Sequence, residues 1–319
     1  MARLALILLI VSMPSCTAVQ DDAATGASAM KAGSSSAAIK TALVDFDVTP
    51  FPYSGTIPDT GKPFLDVTSG ERRGHTAPRG GIVWEDQTYH DRRVLLAIPA
   101  GFDASRPAAI VVFFHGNNAT LQRDVVGRQQ VPRQLAASGL NAVLVAPQFA
   151  VDARDSSAGG FWEPEVFARF IDEAASRLTK LNGGGGAAFH SAPVVFVAYS
   201  GGYLPAAYSL QYWGGSRRLR GVILLDAAYG ELDKFADWVA SRRDAFFFSA
   251  YSKSTSDGNL RLQQLLAQRG VSFQASPDAT LAGGSVTFIE TQESVHNDFV
   301  TQAWTSYPLL AVLSRIARR

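Results

Sequence analysis

Two polar stretches of the sequence carry the parts of a covalent hydrolytic mechanism. Ser200 lies in the segment AYSGG (residues 198–202), directly behind the apolar run 193–197. His296 follows the apolar run 286–290 after a short loop. A serine hydroxyl becomes a nucleophile when a neutral imidazole accepts its proton and a carboxylate orients that imidazole. With such a carboxylate nearby, Ser200 would act as nucleophile and His296 as general base.

The small residues around Ser200 fit a tight turn from a strand into a helix. Such a turn strains its central residue and leaves almost no room for side chains two residues before and after it. The start of a helix here would point backbone N–H groups, including that of Gly201, at an oxyanion formed beside Ser200. The alternative is that Ser-Gly-Gly is an ordinary strand-to-helix turn without chemistry.

Four carboxylates compete for the role of the acid that orients His296. Asp226 directly follows an apolar strand, where an idle buried charge would be costly, and we favour it. Asp257 stands just ahead of a predicted helix, which it would cap. Glu293 and Asp298 share the loop of His296 and remain further alternatives.

Short apolar runs alternate with helix-length segments from residue 82 onward, which predicts a sheet covered by helices on both faces. The predicted strands are 82–88, 93–98, 109–114, 142–146, 194–198, 222–225, 245–250 and 286–290, the first two forming an antiparallel hairpin. The predicted helices are 125–138, 165–181, 202–212, 232–242, 260–269 and 297–315. Ligands of such sheets bind outside the carboxyl ends of the strands, where the polar stretches lie.

The segment AYSGG resembles the nucleophile elbow G-x-S-x-G of the α/β-hydrolase superfamily, with Ala198 in place of the first Gly. The resemblance extends in pattern over residues 82–319. It implies an α/β-hydrolase fold with a mostly parallel eight-stranded sheet. In the segment HGNN (residues 115–118) it makes Asn117 the second oxyanion donor and His115 a structural residue, although Asn-Asn also suits a plain polar turn. It places the general base at His296.

The function predicted from the resemblance is a serine esterase that works through an acyl-enzyme and needs no cofactor or metal. About twenty residues separate Asp226 from the next strand, which excludes a large cap domain at that point. The insertion 148–163 carries Phe149, Phe161 and Trp162, which either line an apolar substrate pocket or fill the core. One alternative is a catalytically inactive binding lipoprotein with this fold. The other is a peptidase or amidase that uses the same catalytic triad of serine, histidine and carboxylate.

The composition narrows the partners to small molecules. Lys and Arg total 29 against 28 Asp and Glu, a net charge of +1 that gives no reason to expect nucleic acid or an anionic membrane. The single Cys excludes an internal disulfide, and with five scattered His it leaves too few ligands for structural zinc. We expect a small-molecule ester as substrate and assign no role to His75, His90 or His190.

The first 40 residues are typical of an exported protein. Residues 1–18 form a predicted signal peptide with an apolar core at 4–11, too short to span a membrane. Cys16 sits where a lipoprotein signal would place its acylated cysteine, whereas cleavage after Ala18 would remove it. Residues 19–40 form a predicted flexible tether, and 41–319 the folded domain. We expect a periplasmic, membrane-anchored or secreted protein.

Overall fold

The computed structural model describes residues 39–317 except 185–187, 277 and 292, and its main feature is an eight-stranded sheet. The strands of the described chain are β1 (Lys40–Asp45), β2 (Val67–Ser69), β3 (Arg72–Thr76), β4 (Ile82–Trp84), β5 (Arg93–Ile98), β6 (Ala109–Phe114), β7 (Ala142–Pro147), β8 (Val194–Tyr199), β9 (Leu219–Leu225), β10 (Phe246–Tyr251) and β11 (Val286–Glu290). The order across the large sheet is β1-β5-β7-β6-β8-β9-β10-β11. The pairs β1/β5 and β5/β7 are antiparallel, and the others are parallel.

Helices cover both faces of this sheet. The α-helices are α1 (Glu85–Thr88), α2 (Val131–Ala137), α3 (Val166–Leu181), α4 (Ala188–Ser191), α5 (Tyr203–Trp213), α6 (Leu232–Ser241), α7 (Ser256–Gln268) and α8 (Pro308–Leu313). Successive strand residues point to opposite faces, so Val112 joins the apolar cluster under α3, α5 and α6, while Val111 joins the one under α2 and α8. The predicted fold class, a mostly parallel eight-stranded sheet between two helical layers, is confirmed.

The predicted hairpin of residues 82–88 and 93–98 is wrong. Residues 93–98 form β5 of the large sheet, but of residues 82–88 only the first three form a strand, β4, which pairs with β3 in a separate three-stranded sheet, while residues 85–88 form α1. The acidic side chains of α1 favour this arrangement because Asp86 and Glu85 bind Arg72 and Arg73 of β3, each with a closest N–O distance of 2.7 Å.

The edge of the large sheet beyond β5 is instead β1, which pairs with it from Lys40↔Ile98 to Asp45↔Arg93. Lys40, assigned from the sequence to the tether, therefore begins the fold.

Two predicted helices are shorter than expected. The segment 125–138 is divided between a π-helical stretch (Leu121–Arg128) and α2, because Gln130 between them adopts a left-handed φ of +50°. The segment 297–315 contains only a 3₁₀ turn (His296–Asp298) and α8, which begins at Pro308 after Tyr307 at φ +59°. Apolar spacing alone did not reveal either left-handed residue.

Residues 46–92, here called the amino-terminal layer, pack on the helical face that carries α3. Phe46 lies 5.6 Å from Phe170 of α3 between ring centroids, and Phe64 lies 5.6 Å from Trp162. Phe46, Phe51 and Phe64 are buried, so aromatic side chains hold this layer on the domain.

The amino-terminal signal lies outside the described residues, as do Cys16 and all but the last two residues of the predicted tether. Within the part of the chain that is described, no helix combines the length and apolar character needed to cross a bilayer.

Candidate active site

Ser200 occupies the turn from the central strand β8 into α5, with a left-handed φ of +53°. This conformation is strained for a residue with a side chain and is held by close packing on both sides. A Cβ on Gly201 would lie 2.0 Å from Asn117 Oδ1, and one on Gly202 would lie 2.2 Å from the carbonyl oxygen of Phe114. The two glycines are therefore required by the turn that exposes the serine hydroxyl.

Ser200, His296 and Asp226 form a continuous hydrogen-bonded chain. Ser200 Oγ lies 2.7 Å from His296 Nε2, and His296 Nδ1 lies 2.6 Å from Asp226 Oδ2. If Nδ1–H donates to the carboxylate, Nε2 is free to accept the serine proton. Among the described residues, Asp226 is the carboxylate that bonds to the ring. Asp257 lies instead in the first turn of α7.

The Asp226 carboxylate is fully buried at the end of β9 and is surrounded by donors from the segment after β10. Ser252 donates its N–H and its hydroxyl, both at 2.9 Å, Ser254 donates a hydroxyl at 2.6 Å, and Thr255 donates another. Burial alone would raise the pKa of Asp226, but the hydrogen bonds from His296 and these donors outweigh it and lower the pKa to about 2. The acid is therefore an anion across the physiological range.

The loop 115–120, here called the oxyanion loop, lies against the serine turn. A Cβ on Gly116 would be 2.8 Å from Ser200 Cβ, so only glycine allows this approach. Because Asn117 Oδ1 also lies against Gly201, the structure brings both predicted oxyanion residues next to Ser200. The arrangement fits two backbone donors near one developing charge.

His115 is bonded to the oxyanion loop and is not part of the hydrogen-bonded chain of Ser200, His296 and Asp226. Its Nδ1 lies 2.8 Å from the carbonyl oxygen of Gly116, and its Nε2 accepts from Phe149 N at 2.9 Å and faces Gln148 Nε2 at 3.0 Å. Complete burial lowers the pKa of His115 to about 4, so the ring is neutral at pH 7.

Tyrosines frame the open side of His296. The ring of Tyr199 stacks on the imidazole with centroids 5.4 Å apart, and the Tyr229 hydroxyl lies 3.3 Å from His296 Nδ1. Tyr229 is 42% exposed and Val295 is 60% exposed, so both present apolar surface beside the site. These residues form a partly apolar mouth.

The aromatic residues of the 148–163 insertion do not line this mouth. Phe149, Phe161 and Trp162 are all buried in the aromatic core, where Phe161 contacts Phe167 edge to face at 5.3 Å. Of the two readings of these rings, the core-filling one is correct.

Several polar groups that contact Asp226, His296 or the oxyanion loop were not predicted from the sequence. These are Ser252, Ser254 and Thr255 around Asp226, the Tyr229 hydroxyl near His296, and Ser156, whose hydroxyl donates to Asn117 Oδ1 at 3.0 Å. The run of hydroxyl residues directly after β10 was the one available signal. In the described ranges, no group of three or more His, Cys, Asp or Glu side chains is placed to hold a metal ion.

Comparison with known proteins gives only distant structural likenesses. No family model matches the sequence, and no curated protein matches it. An uncharacterised protein from Capnocytophaga ochracea aligns over 76% of this chain and 62% of its own, at 12% identity and a TM-score of 0.42. The feruloyl esterase module from Clostridium thermocellum aligns over 86% and 97%, at 13% identity and 0.46. An S-formylglutathione hydrolase from Agrobacterium tumefaciens aligns over 79% and 98%, at 12% identity and 0.46.

Features of this protein's own structure identify its fold. A strained serine turn follows the parallel strand β8, the sheet around it is mostly parallel, and the residues of the hydrogen-bonded chain occur in the sequence order Ser, Asp, His. This combination is that of α/β-hydrolases. The chain therefore has the fold of the α/β-hydrolase superfamily.

Proposed function

We propose that this protein is a serine hydrolase that cleaves carboxylic esters through an acyl-enzyme. The observation that carries the proposal is the unbroken hydrogen-bonded chain from Ser200 Oγ through His296 to the buried anion of Asp226. A serine held at a strained turn with a correctly oriented imidazole is the arrangement that activates a hydroxyl as nucleophile.

The acylation step follows from these positions. Ser200 Oγ attacks the carbonyl carbon while His296 Nε2 takes the hydroxyl proton, and Asp226 stabilises the imidazolium that forms. The carbonyl oxygen becomes an oxyanion, for which the N–H groups of Gly201 and Asn117 are the donors. The intermediate then collapses, the C–O bond to the leaving alcohol breaks, and the imidazolium returns its proton to that alcohol.

Deacylation repeats the sequence with water as the nucleophile. His296 Nε2 removes a proton from water, the hydroxide attacks the acyl carbonyl, and the proton returns to Ser200 as the ester bond to the enzyme breaks. An ester is the expected substrate because its alkoxide leaving group needs less assistance than an amine. The partly apolar mouth beside Tyr229 and Val295 fits an uncharged acyl or alcohol group.

The proposal is tested with a fluorophosphonate probe and with p-nitrophenyl esters of increasing chain length beside a peptide p-nitroanilide. Wild-type protein should be labelled at Ser200 and should hydrolyse the esters, and Ser200→Ala should do neither. Ser176→Ala is the matched control, because the exposed Ser176 hydroxyl also faces a histidine nitrogen, 3.3 Å from His190 Nε2. It should behave as wild type.

Two outcomes would contradict the proposal. A folded wild-type protein that is neither labelled nor active is a binding protein with a hydrolase fold. Faster cleavage of the anilide than of every ester would make the protein an amidase or peptidase that uses the same triad.

A further inference from the structure

We propose that Tyr89, Asp155 and Ser156 are positioning residues that hold the oxyanion loop in its active conformation. This inference rests on the proposed hydrolase function, because it concerns the donor at Asn117. The segment 148–158, here called the bridging loop, lies between the amino-terminal layer and the oxyanion loop, and its hydrogen bonds connect the two.

On one side, the bridging loop is bonded to the oxyanion loop at three consecutive positions. Ser156 Oγ donates to Asn117 Oδ1 at 3.0 Å, Asn118 N donates to the carbonyl of Ala153 at 2.8 Å, and a third backbone bond reaches Ala119 O at 3.3 Å. Asn118 has a left-handed φ of +54°, which asparagine adopts readily, and its N–H is held by the carbonyl of Ala153. The bridging loop therefore contacts the oxyanion loop along its backbone as well as at the Asn117 side chain.

On the other side, the bridging loop is fixed by a buried carboxylate. Tyr89 of the amino-terminal layer donates its hydroxyl to Asp155 Oδ2 at 2.7 Å. Asp155 Oδ1 accepts from the N–H and hydroxyl of Ser157, at 3.1 and 2.9 Å. Both Tyr89 and Asp155 are buried, so these bonds are shielded from water. Asp155 therefore fixes the backbone on both sides of Ser156.

The position of Ser156 matters because it lies against the second proposed oxyanion donor. A Cβ built on Gly201 would be 2.0 Å from Asn117 Oδ1 and 2.6 Å from Ser156 Oγ. The side chains of Asn117 and Ser156 thus meet directly beside Gly201. Stabilisation of an oxyanion falls steeply when its donors move by a fraction of an ångström, so a relaxed bridging loop would slow the chemical step more than it would weaken substrate binding.

The test compares Tyr89→Phe and Ser156→Ala with wild type in ester hydrolysis. Each variant removes one hydroxyl from these contacts and should lower kcat about tenfold, a smaller effect than the removal of an oxyanion donor itself would have. The KM of each variant should stay within about twofold of the wild-type value. Ser156→Thr keeps a hydroxyl at the same position and should recover most of the loss. Active-site titration with a fluorophosphonate corrects every rate for the fraction of folded enzyme.

Tyr53→Phe is the matched control. Tyr53 also belongs to the amino-terminal layer and donates its hydroxyl at 2.7 Å to Glu163, beyond the bridging loop. Its loss should leave kcat within about twofold of wild type.

A boronic acid inhibitor gives an independent readout, since its tetrahedral adduct on Ser200 places an oxygen at the oxyanion position. Its affinity should fall in parallel with kcat in Tyr89→Phe and Ser156→Ala. Unchanged kcat in both variants, or an equal loss in Tyr53→Phe, would overturn the inference while the hydrolase function stands. An inactive wild-type protein would overturn the proposed function, and the inference with it.

Discussion

Protonation of His115 should lower the free energy of unfolding in mildly acidic solution. The ring is completely buried, its Nδ1 is bonded to the Gly116 carbonyl, and its Nε2 accepts from Phe149 N. Protonation would turn that acceptor into a donor facing an N–H group. Burial lowers the folded-state pKa from 6.5 to about 4, so the unfolded chain binds more protons than the folded one between these values.

The sign and size of the effect follow from this difference. Stability rises with pH wherever the unfolded state binds more protons, so the free energy of unfolding falls as the pH is lowered from about 6.5 towards 4. With the unfolded pKa at 6.5 and the folded pKa at about 4, lowering the pH from 7 to 5 costs about 2 kcal/mol. By pH 4 the total approaches about 3 kcal/mol.

Urea unfolding followed by tryptophan fluorescence at pH 7, 6 and 5 measures this loss. In His115→Gln the side-chain oxygen can still accept from Phe149 N, but the residue cannot titrate. This variant should be less stable than wild type at pH 7, and the gap should shrink by about 2 kcal/mol at pH 5. His90→Gln makes the same substitution at an exposed histidine and serves as the matched control. A gap that stays constant with pH in His115→Gln would refute the reasoning.

Three further predictions concern the triad and the amino terminus. Ser200→Ala and His296→Ala should each lower kcat by about 10⁴ to 10⁶ with the fold intact, and more than a tenth of the activity in either variant would remove that residue from the mechanism. Asp226→Asn should lower kcat by about 10⁴. The pKa of Asp226 lies at about 2 instead of 3.8, so its anion also adds about 2 kcal/mol to the free energy of unfolding above about pH 5. This contribution is lost as the pH falls towards 2. In Asp226→Asn that pH-dependent loss should be absent from the unfolding profile. Mass spectrometry of membrane and soluble fractions should find an amino terminus at a lipidated Cys16 or shortly after it, and an intact cytoplasmic Met1 would refute export.

The central sheet was predictable because strands buried on both faces are continuous apolar runs. Residues 109–114 and 194–198 were placed within one residue of β6 and β8 for this reason. An edge strand needs only one partner and one buried face, so β1 carries no such run, and it was assigned in part to the tether. Strand β4 was paired with the wrong neighbour because its true partner β3, with the sequence RRGHT, does not have the composition of a strand.

The residues of the proposed triad could be predicted from the sequence, whereas the groups that contact them could not. Ser200 and His296 stand beside strands with recognisable neighbours. Ser156 lies 39 residues from the asparagine to which it bonds, and Tyr89 lies 66 residues from Asp155. Contacts at such separations depend on how the amino-terminal layer and the bridging loop pack, which the local sequence does not encode.

The proposed acid and the groups that keep it ionised come from two neighbouring strands, β9 and β10. The favoured residue, Asp226, follows β9, and the segment directly after β10 contributes the donors that stabilise its anion. This division has an energetic reason. A carboxylate beside the imidazole must be buried to orient it in a low dielectric, and burial without donors would raise its pKa and neutralise it. With Ser252, Ser254 and Thr255 supplied by the neighbouring strand, Asp226 stays ionised while fully buried. A carboxylate at the position of any of these three residues would remove a donor from Asp226 and, by repulsion, raise the pKa of one of the two carboxyls.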